Sequence, residues 1–66
     1  MDEIDIWRAA KLLFDRHGIF AEDRARDRQF DMLSKGDAAG FAVWGRIRAA
    51  IGELHRVERP EGERIQ

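Results

Sequence analysis

The amino-acid sequence predicts an all-α protein, a small three-helix bundle followed by a disordered C-terminal tail. Two glycine-containing stops, at Gly18 and at Gly36, divide the 66 residues into three segments with helical spacing of apolar residues. No stretch shows the alternation of apolar and polar residues that is typical of a strand. We therefore expect one helical domain over residues 1–57 and a flexible, charged tail over residues 58–66, which Pro60 and Gly62 interrupt.

The first predicted helix covers residues 4–17, with Asp2 as a candidate N-cap and Gly18 after the last turn. At 100° per residue its apolar residues form one wide stripe, and Ile4 and Leu12 lie off that stripe. The stripe consists of Ile6, Trp7, Ala9, Ala10, Leu13 and Phe14. Because aromatic side chains at helical spacing usually pack in a core, we expect Trp7 in the core.

The second predicted helix covers residues 21–35 and is the most charged part of the chain. Its favourable charge pairs each contribute only about 0.2–0.5 kcal/mol, so packing must hold it in place. The sequence Lys35-Gly36-Asp37 ends this helix and starts the next one. Gly36 favours the left-handed conformation of a C-terminal cap, and Asp37 is a candidate N-cap.

The third predicted helix covers residues 38–57 and has two distinct sides. One is a strong apolar stripe of Val43, Trp44, Ile47, Ala50, Ile51 and Leu54, which should face the other helices. The other is a narrow arc of small residues formed by Ala38, Ala42, Gly45, Ala49 and Gly52. Since the short connection at Gly36 predicts antiparallel neighbours, we expect this small-residue side to point away from the second helix.

Small residues at helical spacing let two helix backbones approach closely, so this side is our candidate partner interface. The predicted interface residues are Phe41, Gly45, Ala49 and Gly52, with Arg48 and Arg56 at the rim. The alternative is an ordinary exposed face on which each interior glycine costs about 1 kcal/mol relative to alanine. The sequence leaves both interpretations open.

The residue types present argue against catalysis. The chain has no Cys, Thr, Tyr or Asn, and Ser34 is its only serine. His17 and His55 lack the spacing and the companion ligands of a metal site. We therefore predict no enzyme, no cofactor and no small-molecule substrate. The leading hypothesis is a non-catalytic protein-interaction module that acts as a homodimer or as an accessory subunit.

Twelve basic and 13 acidic residues leave a net charge of −1, which gives no strong attraction to nucleic acid or to anionic lipid. The alternative hypothesis is a weak nucleic-acid-binding accessory protein that uses Arg46, Arg48 and Arg56. Against it, the first two turns of the third helix offer no side chain that reads base edges. The acidic start and the lack of an 18-residue apolar run predict a cytoplasmic protein.

Two resemblances follow from the residues. The stretch from Ala25 through Gly36-Asp37 and Trp44 to Ile47 is similar to one helix junction of tetratricopeptide repeats, which need several stacked units. Residues 5–54 more closely resemble a family of short alphaproteobacterial proteins, a domain of unknown function. The residues that carry this resemblance are Asp5-Ile6-Trp7-Arg8-Ala9-Ala10, Leu12-Leu13, Asp15-Arg16-His17-Gly18, Gly36-Asp37, Gly40, Val43-Trp44, Arg46-Ile47 and Ala50-Ile51. Ile19-Phe20 departs from the acidic pair expected there. The resemblance implies a small helical bacterial protein and supplies no catalytic residue.

Overall fold

The computed structural model of the protein describes residues 2–58, and it confirms the all-α prediction. Helix α1 covers Glu3–His17, a short 3-10 helix covers Gly18–Phe20, α2 covers Ala21–Ser34, and α3 covers Ala38–Glu58. No strand occurs between residues 2 and 58. The predicted tail, apart from residue 58 at the end of α3, lies outside the described residues.

The corner at Gly18 differs from the predicted one. We expected a glycine corner that separates two helices, but residues 3–34 form a single uninterrupted helical run, and residues 38–58 form the second. Gly18 has φ +56° and its backbone N–H donates to the Phe14 carbonyl, so α1 closes as expected. The 3-10 helix of three residues leads directly into α2.

The corner at Gly36 agrees with the prediction in detail. Gly36 has φ +75°, its N–H donates to the Leu33 carbonyl at 3.0 Å, and the Asp37 N–H donates to the Met32 carbonyl at 2.8 Å. This pair of bonds is a Schellman motif. An Asp37 carboxylate oxygen accepts from the Gly40 N–H at 2.8 Å and thereby caps α3. The candidate cap Asp2, in contrast, makes no side-chain capping bond.

The core is small and rich in alanine. α3 packs against both α1 and α2, and the buried apolar residues are Ile6, Ala10, Ala21, Ala25, Ile47, Ala50 and Ile51. Trp44 packs against this cluster from its edge, whereas Trp7 is 38% exposed, so the expectation of a core Trp7 is wrong. Four of the seven buried apolar residues are alanines, so the helices approach closely and leave little room for larger side chains.

Candidate interaction surfaces

The small-residue side of α3 does not point away from α2 as a whole. A Cβ atom built on Gly45 would lie 2.8 Å from Nε2 of Gln29, and one built on Gly52 would lie 2.9 Å from Oε2 of Glu22. Both glycines therefore face side chains of α2, and the predicted orientation is wrong for them. The physical reason is that a backbone without Cβ leaves space for a polar side chain of the neighbouring helix.

Gln29 connects α2 to α3 through a polar network above Gly45. Its side chain is buried, its Nε2 donates to the Phe41 carbonyl at 3.4 Å, and Nη1 of Arg48 donates to its Oε1 at 2.9 Å. The Phe41 ring also meets the Phe30 ring edge-on, with centroids 6.0 Å apart. Two further residues of the predicted interface, Phe41 and Arg48, are thus already engaged with α2.

The remaining two residues of the predicted interface, Ala49 and Arg56, are exposed. Ala49 lies on a ridge of α3 between two shallow grooves. The groove toward α1 has a volume of about 250 Å³ and is also lined by Glu3, Ile6, Trp7, Arg46, Ala50 and Glu53. The groove toward α2 has a volume of about 300 Å³ and is also lined by Glu22, Gln29, Gly45 and Arg48. Whether a partner covers this ridge stays a prediction.

The three arginines of the nucleic-acid hypothesis each have a partner inside the chain. Arg46 lies 3.3 Å from a Glu3 carboxylate oxygen, Arg56 pairs with Glu53, and Arg48 is held by Gln29. Two of the three positive charges are therefore matched locally by a carboxylate. Such exposed pairs are weak, yet they reduce the local positive potential that a phosphate backbone would meet.

The sequence-based search missed the outer surface of α1. A shallow depression of about 470 Å³ runs along this helix, and we call its lining the outer face of α1: Ile4, Trp7, Arg8, Lys11, Leu12 and Asp15. Ile4 is 62% exposed and Leu12 is 54% exposed. The sequence did carry a signal for this surface, since Ile4 and Leu12 lie off the core stripe of α1.

Charges are distributed unevenly on the outer face of α1. Nζ of Lys11 lies 3.1 Å from Oδ1 of Asp15, one turn further along the helix. Arg8 forms no ion pair within residues 2–58. This face therefore combines large apolar side chains with one unmatched cation.

A second exposed face lies on α2. Asp23, Asp27 and Asp31 follow one another at helical spacing and are all exposed. Phe30 and Leu33 of the same helix are 49% and 56% exposed. Arg24, Arg26 and Arg28 are exposed as well, so the exposed charges of α2 balance one another.

His55 joins the three α-helices near the 3-10 turn. Its Nε2 lies 3.2 Å from the Gly18 carbonyl oxygen, its ring centroid lies 5.0 Å from that of Phe14, and its Nδ1 lies 3.9 Å from Oε1 of Glu22. These contacts give the histidine a structural role at the corner. No group of three or more His, Cys, Asp or Glu side chains in the described part of the chain is placed to hold a metal ion.

Comparisons of this chain with protein families, with curated proteins and with solved structures give no match. The resemblance to short alphaproteobacterial proteins and the similarity to a tetratricopeptide-repeat junction therefore stay predictions. Among the helices between residues 2 and 58, none combines the length and the apolar character that crossing a lipid bilayer requires.

Proposed function

We propose that this protein is a non-catalytic protein-interaction module that acts as a homodimer or as an accessory subunit. The observation that supports this proposal is an imbalance between exposed and buried apolar side chains. Ile6, Ile47 and Ile51 are the buried apolar residues larger than alanine within residues 2–58. In the same part of the chain, eight larger apolar side chains are more than a third exposed: Ile4, Trp7, Leu12, Ile19, Phe20, Phe30, Leu33 and Val57. Three of them, Ile4, Trp7 and Leu12, line one shallow depression, and contiguous exposed apolar side chains are typical of surfaces that bind another protein.

The residue types of the chain support the non-catalytic part of the proposal. Nucleophilic catalysis needs an activated side chain beside a base, and the sequence offers one serine and no cysteine, threonine or tyrosine. Ser34 ends α2 next to the Gly36 turn, where a small polar residue suits a helix end. Its position is explained without a chemical role, and we propose neither a cofactor nor a substrate.

The interaction surface that we favour is on α1 rather than on α3. Four of the six residues of the interface predicted on α3, namely Phe41, Gly45, Arg48 and Gly52, contact or face side chains of α2. The outer face of α1 instead presents Ile4, Trp7 and Leu12 to solvent over a shallow depression. A large side chain that is exposed gains more from being covered by a partner than an exposed alanine does.

Site-specific photo-cross-linking in the native host tests this proposal. A photoreactive amino acid at the position of Leu12 should give a discrete adduct with protein, and the same group at the exposed Ala39 of α3 should give none. Adding Ile4→Asp should abolish the adduct, because a carboxylate on the outer face of α1 resists burial. If position 12 gives no protein adduct, the proposal is wrong.

Nucleic-acid binding has weaker support, because Arg46 and Arg56 each have a carboxylate partner. The same cross-linking experiment also tests nucleic-acid binding. An adduct that contains nucleic acid, and whose yield falls steeply as salt rises, would replace the protein-interaction proposal.

A further inference from the structure

We propose that the groove between α2 and α3 binds a carboxylate group of the protein partner, and that Arg48 is the residue that contacts it. This inference rests on the proposed function, since it states the chemistry of a partner that covers the outer face of α1. It depends on a cationic side chain for which the described part of the chain supplies no counter-charge.

Arg48 is the only Lys or Arg side chain between residues 2 and 58 that is not exposed. It is half-buried, and it takes part in none of the ion pairs in this part of the chain. A guanidinium that is partly removed from water is best stabilised by a carboxylate, because opposite charges offset each other's loss of hydration. A partner that brings a carboxylate to this groove supplies the missing counter-charge.

The buried amide of Gln29 fixes the direction of the Arg48 side chain. Nη1 of Arg48 donates to Oε1 of Gln29 at 2.9 Å, and Nε2 of Gln29 donates in turn to the Phe41 carbonyl at 3.4 Å. Both acceptors are neutral, so these bonds position the positive charge without compensating it. A guanidinium has several N–H donors, and the remaining ones of Arg48 make no hydrogen bond within residues 2–58. An arginine held in this way loses less rotamer entropy when it binds a carboxylate.

The groove beside Arg48 has room for a carboxylate. Its volume is about 300 Å³, and its lining includes Gly45 and Ala49, which carry no side chain larger than a methyl group. Glu22 is the other charged residue of the lining, and it lies near Nδ1 of His55 rather than within ion-pair distance of Arg48. A second negative charge in the groove favours a ligand with a single negative charge, so a carboxylate fits better than a phosphate dianion.

Shared lining residues connect this groove to the outer face of α1. Ala49 lines both this groove and the groove toward α1, and Trp7 lines both that second groove and the outer face of α1. A partner segment that follows the three depressions can therefore place apolar side chains at Ile4 and Leu12 and a carboxylate at Arg48.

Nuclear magnetic resonance of the full wild-type chain, titrated with sodium acetate at constant ionic strength, tests the site without a partner. The Nε–H signal of Arg48 and the side-chain amide signals of Gln29 should shift and saturate. Arg28 is the matched control in the same spectra, because it is an exposed arginine that forms no ion pair within residues 2–58. Acetate should bind at Arg48 at least ~10-fold more tightly than at Arg28, since Gln29 holds the Arg48 guanidinium in place.

Three results of the titration would overturn the inference. Equal binding at Arg48 and Arg28 would show that Arg48 behaves like an ordinary exposed arginine. Tighter binding of inorganic phosphate than of acetate at Arg48 would identify a phosphate site instead. The absence of a shift at Arg48 would mean that the site is closed to an added carboxylate, as it would be if Glu61 or Glu63 of the same chain occupied it.

The photo-cross-linking assay at position 12 tests whether the partner uses the site. Adding Arg48→Gln should lower the yield of the protein adduct at least ~10-fold, because the partner's carboxylate loses its counter-charge. Arg28→Gln removes the same charge and should leave the yield unchanged. Arg48→Lys keeps the charge without the forked donors and should give an intermediate yield. Far-UV circular dichroism checks that each variant folds, and Arg48→Lys decides the test if Arg48→Gln does not fold.

The inference and the proposed function can fail separately in this assay. If the adduct at position 12 forms equally well in the wild type and in Arg48→Gln, the inference is wrong and the proposed function survives. If position 12 gives no protein adduct, both are wrong.

Discussion

Helices α1 and α3 each have an unusual set of residues outside their buried apolar stripe, and the two sets differ in whether another helix covers them. On α3 this set consists of small residues, and the side chains of Gln29 and Glu22 from α2 lie over Gly45 and Gly52. On α1 this set consists of Ile4, Trp7 and Leu12, and they remain exposed. The comparison teaches that small residues at helical spacing can serve packing inside one chain. Large apolar residues left in solvent are the better indication of a partner.

The largest expected effect is the loss of stability when a core side chain is shortened, compared with shortening a side chain of the outer face of α1. Ile51 is completely buried, so Ile51→Ala should lower the free energy of unfolding by about 2–5 kcal/mol through lost burial and a cavity. Leu12→Ala, measured in dilute solution, should change it by less than about 0.5 kcal/mol, because this side chain is exposed. Urea denaturation followed by circular dichroism measures both variants.

If Ile51→Ala does not fold, Ile51→Val provides the same comparison with an expected loss of about 0.5–1.5 kcal/mol. A large cost for Leu12→Ala in dilute solution would mean that Leu12 packs within its own bundle. The outer face of α1 would then lose its role as a candidate surface.

The next effect concerns Gly45 on the small-residue side of α3. A methyl group there would come within 2.8 Å of the buried Gln29 amide and displace it from the Phe41 carbonyl and from Arg48. An unsatisfied buried polar group costs about 1–3 kcal/mol, and the better helix propensity of alanine returns about 1 kcal/mol. Gly45→Ala should therefore destabilise the fold by about 1 kcal/mol in urea denaturation.

A Gln29→Ala background provides the control for this prediction. Without the amide above it, Gly45→Ala should become stabilising by about 1 kcal/mol, which is the propensity gain alone. The same destabilisation in both backgrounds would show that Gln29 is not the reason for the glycine.

The smallest effect concerns Gly52, seven residues further along the same helix. The atom closest to an added methyl group is a Glu22 carboxylate oxygen, at 2.9 Å. This side chain is 46% exposed, so its end has room to turn toward solvent. Gly52→Ala should stabilise the protein by up to about 1 kcal/mol, visible as a higher thermal midpoint.

A loss of stability in Gly52→Ala would show that the Glu22 carboxylate is fixed where it lies, near Nδ1 of His55. In that case both glycines would make room for a fixed side chain of α2. Gly45→Ala and Gly52→Ala would then both destabilise the protein, and the expected difference between the two variants would disappear.

Much of the local structure could be predicted from the sequence because it depends on short-range chemistry. Gly36 has a positive φ and Asp37 caps α3, as the order of these residues indicates. The helix bounds differ from the predicted ones by one residue at most, since apolar spacing and the glycines define them. The conformation of the corner at Gly18 was harder to predict, because nothing in the sequence Gly18-Ile19-Phe20 distinguishes a short 3-10 helix from a non-helical connection.

The candidate site could not be predicted in the same way. On a helical wheel the side of α3 around Gly45 and Gly52 lies opposite the apolar stripe, and so it appears free. The wheel does not show that α2 is offset toward this side or that a polar residue such as Gln29 becomes buried there.

The sequence by itself determined an all-helical chain, its turn at Gly36 and the shortage of catalytic residue types, because these follow from composition and from contacts a few residues apart. Only the tertiary structure decided which of the unusual helix sides is covered. That depends on the angles and offsets at which α1, α2 and α3 pack around an alanine-rich core, and such long-range geometry leaves no local trace in the chain. For this reason we propose the large apolar residues of α1, rather than the small residues of α3, as the candidate surface.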